Sequence, residues 1–276
     1  MPTWLIVLFS LVALCLLLVL FIFAPARPSK KKKAPFYGNN IAHRGLYQKD
    51  QSVPENSLPA FAKAVEAGYG MELDVQLSRD GKVVVFHDDT LERVCGVSKR
   101  VDELDYSELQ ELRFCGTDEK IPLFDEVLAT VGGKTPMIVE LKTGSRNEEL
   151  CQKTLAALRG YEGEFCIESF DPTIVAWFRK HAPEIYRGQL AQPFQDYRKH
   201  GKSRLVSFLL STTALNVIAR PNFIAYKIGK KPLSVHFAEA LGATRVAWTS
   251  HDETNEKNFD VVIFEHYLPK TQYKNQ

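Results

Sequence analysis

A chain of 276 residues with 45% hydrophobic and 25% charged side chains is long enough to bury a large core and too apolar for a disordered polypeptide. Its formal charge of +2 sits at one end: Arg27 and Lys30 to Lys33 supply five cations, and without them the chain carries −3. That balance leaves no basic footprint for nucleic acid, and no nucleic-acid partner is expected.

Trp4 to Ala24 is an apolar run without a charge, about 30 Å long as a helix, which matches the hydrocarbon thickness of a bilayer. A secretory signal would carry basic residues ahead of a shorter apolar stretch, and none precedes Trp4. Cys15 follows Leu14, where a lipoprotein signal requires a small residue. The expectation is an uncleaved transmembrane anchor over residues 1–26 and a basic linker over 27–39, marked by Pro25, Pro28 and Pro35. The positive-inside rule then makes this a single-pass membrane protein with its globular part in the cytoplasm, and the Lys run is attracted to anionic head groups. Cys95, Cys115, Cys151 and Cys166 form no CxxC pair, which fits reduced thiols in that compartment.

From residue 40 onward strands and helices alternate. Asn40 to His43 reads as a short strand, and Ser57 to Ala67 as a helix capped by Ser57 and stopped by Gly68. Met71 to Leu77 alternates apolar side chains with Glu72, Asp74 and Gln76, so a strand here puts both carboxylates on one face. Asp80-Gly81 signals a two-residue hairpin loop. In that register Arg79 faces Lys82 and Asp74 faces His87, which brings Glu72, Asp74 and His87 together. Such a cluster suits a hard divalent cation beside a proton-transfer group; the alternative is a solvated outer sheet face.

Further strands are expected at Met137 to Lys142, Phe165 to Phe170, Ile185 to Leu190, Phe223 to Ile228, Arg245 to Thr249 and Val261 to Phe264. Helices around Glu148 to Leu158, Thr173 to His181 and Ser234 to Leu241 separate several of them. Alternation implies parallel pairing, whereas Val83 to His87 belongs to an antiparallel hairpin. Setting it aside leaves eight strands, the count of a (β/α)8 TIM barrel over residues 40–276. Residues 88–122 then form an insertion after the second strand, a small helical cap with Leu104, Leu109 and Leu112; Gln192 to Pro221 has no clear pattern. Barrel enzymes carry their chemistry at the carboxyl ends of the strands, where His43, Glu72, Asp74, Glu140 and Lys142 fall. Glu140 and Lys142 share a face, either in a site or as a buried structural ion pair.

HRG at His43 to Gly45, PENS at Pro54 to Ser57, ELDV at Glu72 to Val75, the Asp-Gly turn, HD at His87-Asp88, ELK at Glu140 to Lys142 and SFDP at Ser169 to Pro172 stand in one order along the chain. In these motifs the sequence resembles the glycerophosphodiester phosphodiesterase family over essentially residues 40–266. The resemblance implies a barrel with an inserted cap and a metal-dependent hydrolysis of glycerophosphodiesters to an alcohol and sn-glycerol 3-phosphate. It makes His43 and His87 the acid/base pair, Arg44 and Lys142 phosphate ligands, and Glu72, Asp74 and Glu140 ligands of a divalent cation, Mg²⁺ or Ca²⁺. Trp248-Thr249 matches the start of a late family motif that also points to substrate, but Ser250-His251 depart from it, as does IFEHYL at Ile263 to Leu268 from the usual end of the last strand. His181, His200, His236, His251 and His266 match no motif position and read as surface or core residues. Two alternatives stand beside this reading: a membrane-tethered lysophospholipase D acting on lysophospholipids, and a barrel serving as a non-catalytic interaction module.

Overall fold

The computed structural model describes residues 2–27 and 29–274; Pro28, one of the prolines expected in the linker, lies outside the described residues. In chain order the elements are α1 (Thr3–Phe23), α2 (Lys30–Lys33), β1 (Asn40–Ala42), α3 (Leu58–Glu66), β2 (Gly70–Leu77), β3 (Val83–Val85), α4 (Glu92–Cys95), α5 (Tyr106–Leu109), α6 (Phe124–Val131), β4 (Met137–Leu141) and α7 (Asn147–Arg159). They continue with β5 (Phe165–Ser169), α8 (Pro172–His181), β6 (Tyr186–Ala191), α9 (Phe194–Lys199), α10 (Arg204–Ser211), α11 (Asn216–Ala219), β7 (Phe223–Lys227), α12 (Leu233–Ala240), β8 (Thr244–Ser250) and β9 (Val261–Phe264).

Eight strands pair in parallel in the order β1-β9-β8-β7-β6-β5-β4-β2, and β1 pairing with β2 closes the barrel. β3 hangs antiparallel on the outer edge of β2. This is the expected TIM barrel with a helix-bearing insertion after the second barrel strand.

Strand alternation sorts side chains into two shells. Met71, Leu73, Val75, Val139 and Ile167 pack outward in one apolar layer with helix residues such as Phe61, Phe124 and Phe178. Ile41, Ile138, Cys166, Tyr186, Phe223 and Val261 fill the barrel itself. Glu72 and Asp74 are therefore on the inner face, buried, and the solvated outer face is excluded.

The hairpin differs from expectation by one residue. Val75 pairs with Val85 and Leu77 with Val83, so Ser78 faces Lys82, with Ser78 N–H donating to Lys82 O at 2.9 Å. The loop is the three residues Arg79-Asp80-Gly81, with Gly81 at φ +76°, a common three-residue connection in which the last position is left-handed. A one-residue slip moves every side chain to the other face. Asp74 accordingly faces Phe86, whose N–H donates to Asp74 O at 3.0 Å. His87 reaches the site by lying past the end of β3.

The cap has its own core, with Val84, Phe86, Leu91, Val94, Leu109 and Phe114 buried together. The patternless stretch 192–221 resolves into α9, α10 and α11. The stretch expected as a linker is docked: α2 lies in it, and Phe36 is buried in the barrel interior, stacked on Tyr186 at 5.6 Å between ring centroids.

Candidate active site

Register places the inner carboxylates level with one another. Asp74 pairs with Glu140 and Glu140 with Glu168 on adjacent strands, and Glu72 sits two residues below Asp74 on the same face. Oxygens of Glu72, Asp74 and Glu140 all lie within 4.8 Å of one another.

The mutual repulsion shows in their protonation. Burial, then the charges of Asp74, Glu140 and Glu168, pushes Glu72 well above the usual carboxylate range. Burial also raises Glu140, to about 7, against the pull of Lys142, and raises Glu168 strongly. Asp74 is the exception: burial would raise it, but Lys142, His87 and Arg44 outweigh that and hold it ionised.

Cationic side chains stand over this floor of acids. Lys142 Nζ lies 2.9 Å from Glu140 Oε1 and 3.4 Å from Asp74 Oδ1. Arg44 is positioned by its backbone: its φ of +54° turns the chain immediately after β1, and its N–H donates to Glu72 Oε2 at 3.0 Å. Gly45 follows at φ +80°, where a Cβ would meet the Ala60 backbone carbon at 2.9 Å. The Arg44 guanidinium pairs with Glu55 at 2.7 Å and stands 3.6 Å from Asp74. Asn56 Nδ2 donates to Asp74 Oδ2 at 2.8 Å, which gives the PENS motif its structural role.

Each histidine is held by a carboxylate on Nδ1. His87 Nδ1 is 2.6 Å from Asp88 Oδ1, and His43 Nδ1 is 2.7 Å from Glu265 Oε2. An ionised carboxylate only accepts, so Nδ1 carries the hydrogen in both rings. Nε2 is thereby left for chemistry; that of His43 lies 3.9 Å from Glu72. Burial and then the Arg44 charge lower the pKa of His43, and burial and then Lys142 lower that of His87.

His43, Arg44, Glu72, His87, Glu140 and Trp248 share one cavity of about 430 Å³. A second cavity, about 780 Å³, also reaches Arg44, His87, Lys142 and Trp248 and continues past Pro172 and Tyr197 to Val206, Leu210 and Leu215. Trp248 lines both, its ring 5.4 Å from Phe170 and its Nε1 donating to Ala225 O at 2.8 Å. All eight residues expected at the site thus converge.

Residues that the sequence reading did not place at the site also converge there. Glu265, whose signal was an acid ending the last strand, is held at about 2: burial would raise it, but the hydrogen bonds and charge of His43, with Tyr47, prevail. His251 and His266 lie 3.7 and 3.8 Å from its Oε1, so neither is remote from the site. Glu168 is an inward acid in FCIES.

The acids fit a divalent cation. Glu168 Oε2 is buried without a hydrogen bond, and so are Asp74 Oδ1 and Arg44 Nε, which have ion-pair contacts only, to Lys142 at 3.4 Å and to Asp74 Oδ2 at 3.6 Å. A cation among the acids and an oxyanion beside Arg44 would satisfy both sides, and an all-oxygen set suits Mg²⁺ or Ca²⁺.

The sequence pattern of the glycerophosphoryl diester phosphodiesterase family matches residues 43–266. The chain belongs to this family. It is thereby a phosphoric diester hydrolase. A glycerophosphodiester phosphodiesterase of Caldanaerobacter subterraneus subsp. tengcongensis is 32% identical over 191 residues, 64% of this chain and 76% of that protein. A lysophospholipase D of Rattus norvegicus is 35% identical, over 51% of this chain and 47% of its own length. Among solved structures, the Thermotoga maritima glycerophosphodiester phosphodiesterase superposes with a TM-score of 0.60 at 28% identity, covering 81% of this chain and 92% of that one. A phosphodiesterase of Oleispira antarctica, solved with its product sn-glycerol-3-phosphate, shares the fold with a TM-score of 0.68 at 23% identity, covering 84% and 94%.

Proposed function

We propose that the protein hydrolyses glycerophosphodiesters to an alcohol and sn-glycerol 3-phosphate, using a divalent cation, Mg²⁺ or Ca²⁺, held by Glu72, Asp74 and Glu140. The observation that carries this reading is the pair of carboxylate-held histidines lining one cavity with that acidic cluster. When bound, the cation supplies positive charge to a phosphodiester anion that otherwise resists attack. Arg44 and Lys142 hold the phosphoryl oxygens, with Trp248 packing against the substrate. The Nε2 of one histidine takes the proton of the nucleophile, either water or the substrate's own 2-hydroxyl; in the second case the alcohol leaves a cyclic phosphate, which water then opens to sn-glycerol 3-phosphate. The Nε2–H of the other protonates the leaving alcohol.

Residues 1–26 act as a membrane anchor, 27–39 join it to the barrel, and 40–276 form the catalytic unit with its insertion at 88–122, placed in the cytoplasm by the Lys run. Protease added outside sealed cells should leave the barrel intact; cleavage there would reverse the orientation. The apolar end of the second cavity supports a lysophospholipase D activity as a second reading, in line with the name of the rat relative. An interaction module without activity is disfavoured because the polar motif residues His43, Arg44, Glu72, Asp74, His87, Glu140 and Lys142 are all present.

Assays of glycerophosphodiesters and lysophospholipids with Mg²⁺, Ca²⁺ or chelator test substrate class and metal together. Chelator should abolish turnover. Glu140→Gln should weaken cation binding in calorimetric titration while circular dichroism stays native; unchanged affinity would remove Glu140 from the metal site.

A further inference from the structure

The anchor is fastened to the end of the barrel opposite the active site. Ala26 N–H donates to Pro221 O at 3.0 Å, Arg220 Nη1 to Ala24 O at 2.8 Å, and Asn222 Nδ2 to Ala26 O at 3.0 Å. Arg27 Nε reaches Leu241 O at 3.4 Å, Lys32 Nζ reaches Pro183 O at 3.2 Å, and Lys33 Nζ lies 3.9 Å from Asp260. Pro183, Pro221, Leu241 and Asp260 stand just before β6, β7, β8 and β9, four consecutive strand starts around the barrel. With Phe36 in the barrel interior, residues 24–27 and 29–36 form its floor.

The reacting groups lie at the other end, on or after the carboxyl ends of the strands. α1 itself projects from this attachment, with residues 6–21 exposed. Cations gather on the attached face beside the acids Glu184 and Asp260: Arg27, the Lys run, Arg179, Lys180 at the end of α8, and Arg220, whose guanidinium lies 4.8 Å over the Phe21 ring. A face of this charge complements an anionic bilayer surface.

We propose that α1 holds the barrel by its floor, with the catalytic mouth turned away from the bilayer. The site then receives water-soluble glycerophosphodiesters from the aqueous phase rather than lysophospholipids from the membrane that holds α1. This rests on the hydrolase reading above. The reverse arrangement would lay exposed Leu205 and Phe208 of α10, beside the second cavity, on the lipid.

The test uses the full chain in nanodiscs of phosphatidylcholine and phosphatidylglycerol carrying a head-group acceptor dye. With exposed Cys15 and Cys115 changed to Ser, one donor dye is attached at Glu184→Cys on the floor or at Lys99→Cys on the cap. Energy transfer should be strong from position 184 and weak from 99; equal or stronger transfer from 99 overturns the proposal. In unlabelled discs, glycerophosphocholine should be hydrolysed at least about tenfold faster than embedded lysophosphatidylcholine, a barrier difference of about 1.4 kcal/mol. A long Gly/Ser insertion after Ala24, combined with Arg220→Ala and Asn222→Ala, should raise turnover of the lipid and leave that of the soluble diester unchanged. Preference of the unmodified chain for the embedded lipid also overturns the proposal. Failure to hydrolyse either substrate would instead refute the hydrolase reading, and the transfer measurement would still decide the orientation.

Discussion

The two histidine–carboxylate pairs look alike at their hydrogen bonds and differ in how they are supported. His87 is held by its sequence neighbour, and Asp88 is braced from the cap by Arg93, whose Nε donates to Asp88 Oδ2 at 2.7 Å and which also binds Glu55. His43 is held by Glu265 across 222 positions, with Tyr47 OH donating to the same carboxylate oxygen at 2.9 Å. The His87 side chain is 31% exposed and that of His43 15%. One pair thus depends on an inserted cap and the other on closure of the barrel between its first and last strands, so a disturbance of either element should silence one histidine at a time.

The largest effects should come from the rings themselves. His43→Ala and His87→Ala should each lower turnover by roughly 10²–10⁴-fold, about 3–5.5 kcal/mol of barrier. If the two serve one proton cycle, as proposed, the double variant should lose far less than the product of the single losses. A diester with an activated leaving group should rescue only the variant lacking the general acid. Near-normal turnover of ordinary diesters by either single variant would remove that histidine from the acid/base pair.

Next in size are the braces. Glu265→Gln and Asp88→Asn each strip the charge from a hydrogen bond worth about 1.5–3 kcal/mol while leaving an amide oxygen to accept, so the loss should be at most roughly 10- to 150-fold. Glu265 raises the pKa of His43 against burial and Arg44, so its loss lowers that pKa further. If His43 is the base, it must be neutral to act, and the acidic limb of kcat/KM shifts to lower pH. If it is the acid, the alkaline limb shifts to lower pH instead. Asp88→Asn, acting on His87, should move the other limb; movement of the same limb by both variants would break the division of roles.

The smallest effects separate the supports. Tyr47→Phe should cost about 0.5–1.5 kcal/mol, roughly two- to tenfold, through the His43 pair alone. Arg93 is half exposed, so Arg93→Ala should have an effect in the same range or below it; in the pH profile it should move the His87 limb, and through Glu55, which Arg93 shares with Arg44, it should also raise KM slightly.

The barrel was legible because its strands alternate sharply and its motifs end them: Glu72, Asp74, Glu140 and Lys142 could be placed on faces from period alone. The hairpin register was not, since Asp80-Gly81 serves a two- or a three-residue loop, and the count depends on the Ser78–Lys82 pair that closes it. The helix Phe124–Val131 and the three short helices after Gln192 went unread, the latter because four to eight residues hold too few turns for a period to emerge. Glu265 was noticed only as a departure. Its partner is at the far end of the chain, and pairing across barrel closure leaves no local pattern.

The three residues of β3 divide their side chains between two cores: Val85 packs into the layer around the barrel, while Val84, with Phe86 just beyond the strand, belongs to the core of the cap. The cap is therefore a module with a hydrophobic socket rather than a loop with a shape of its own. Its interior could be redrawn wholesale, by recombination or by design, to alter what passes the mouth of the barrel. The boundary that must be preserved in such a graft lies upstream of the insertion, at Val84 and Phe86, because those two side chains fill the socket and set the position from which His87 departs.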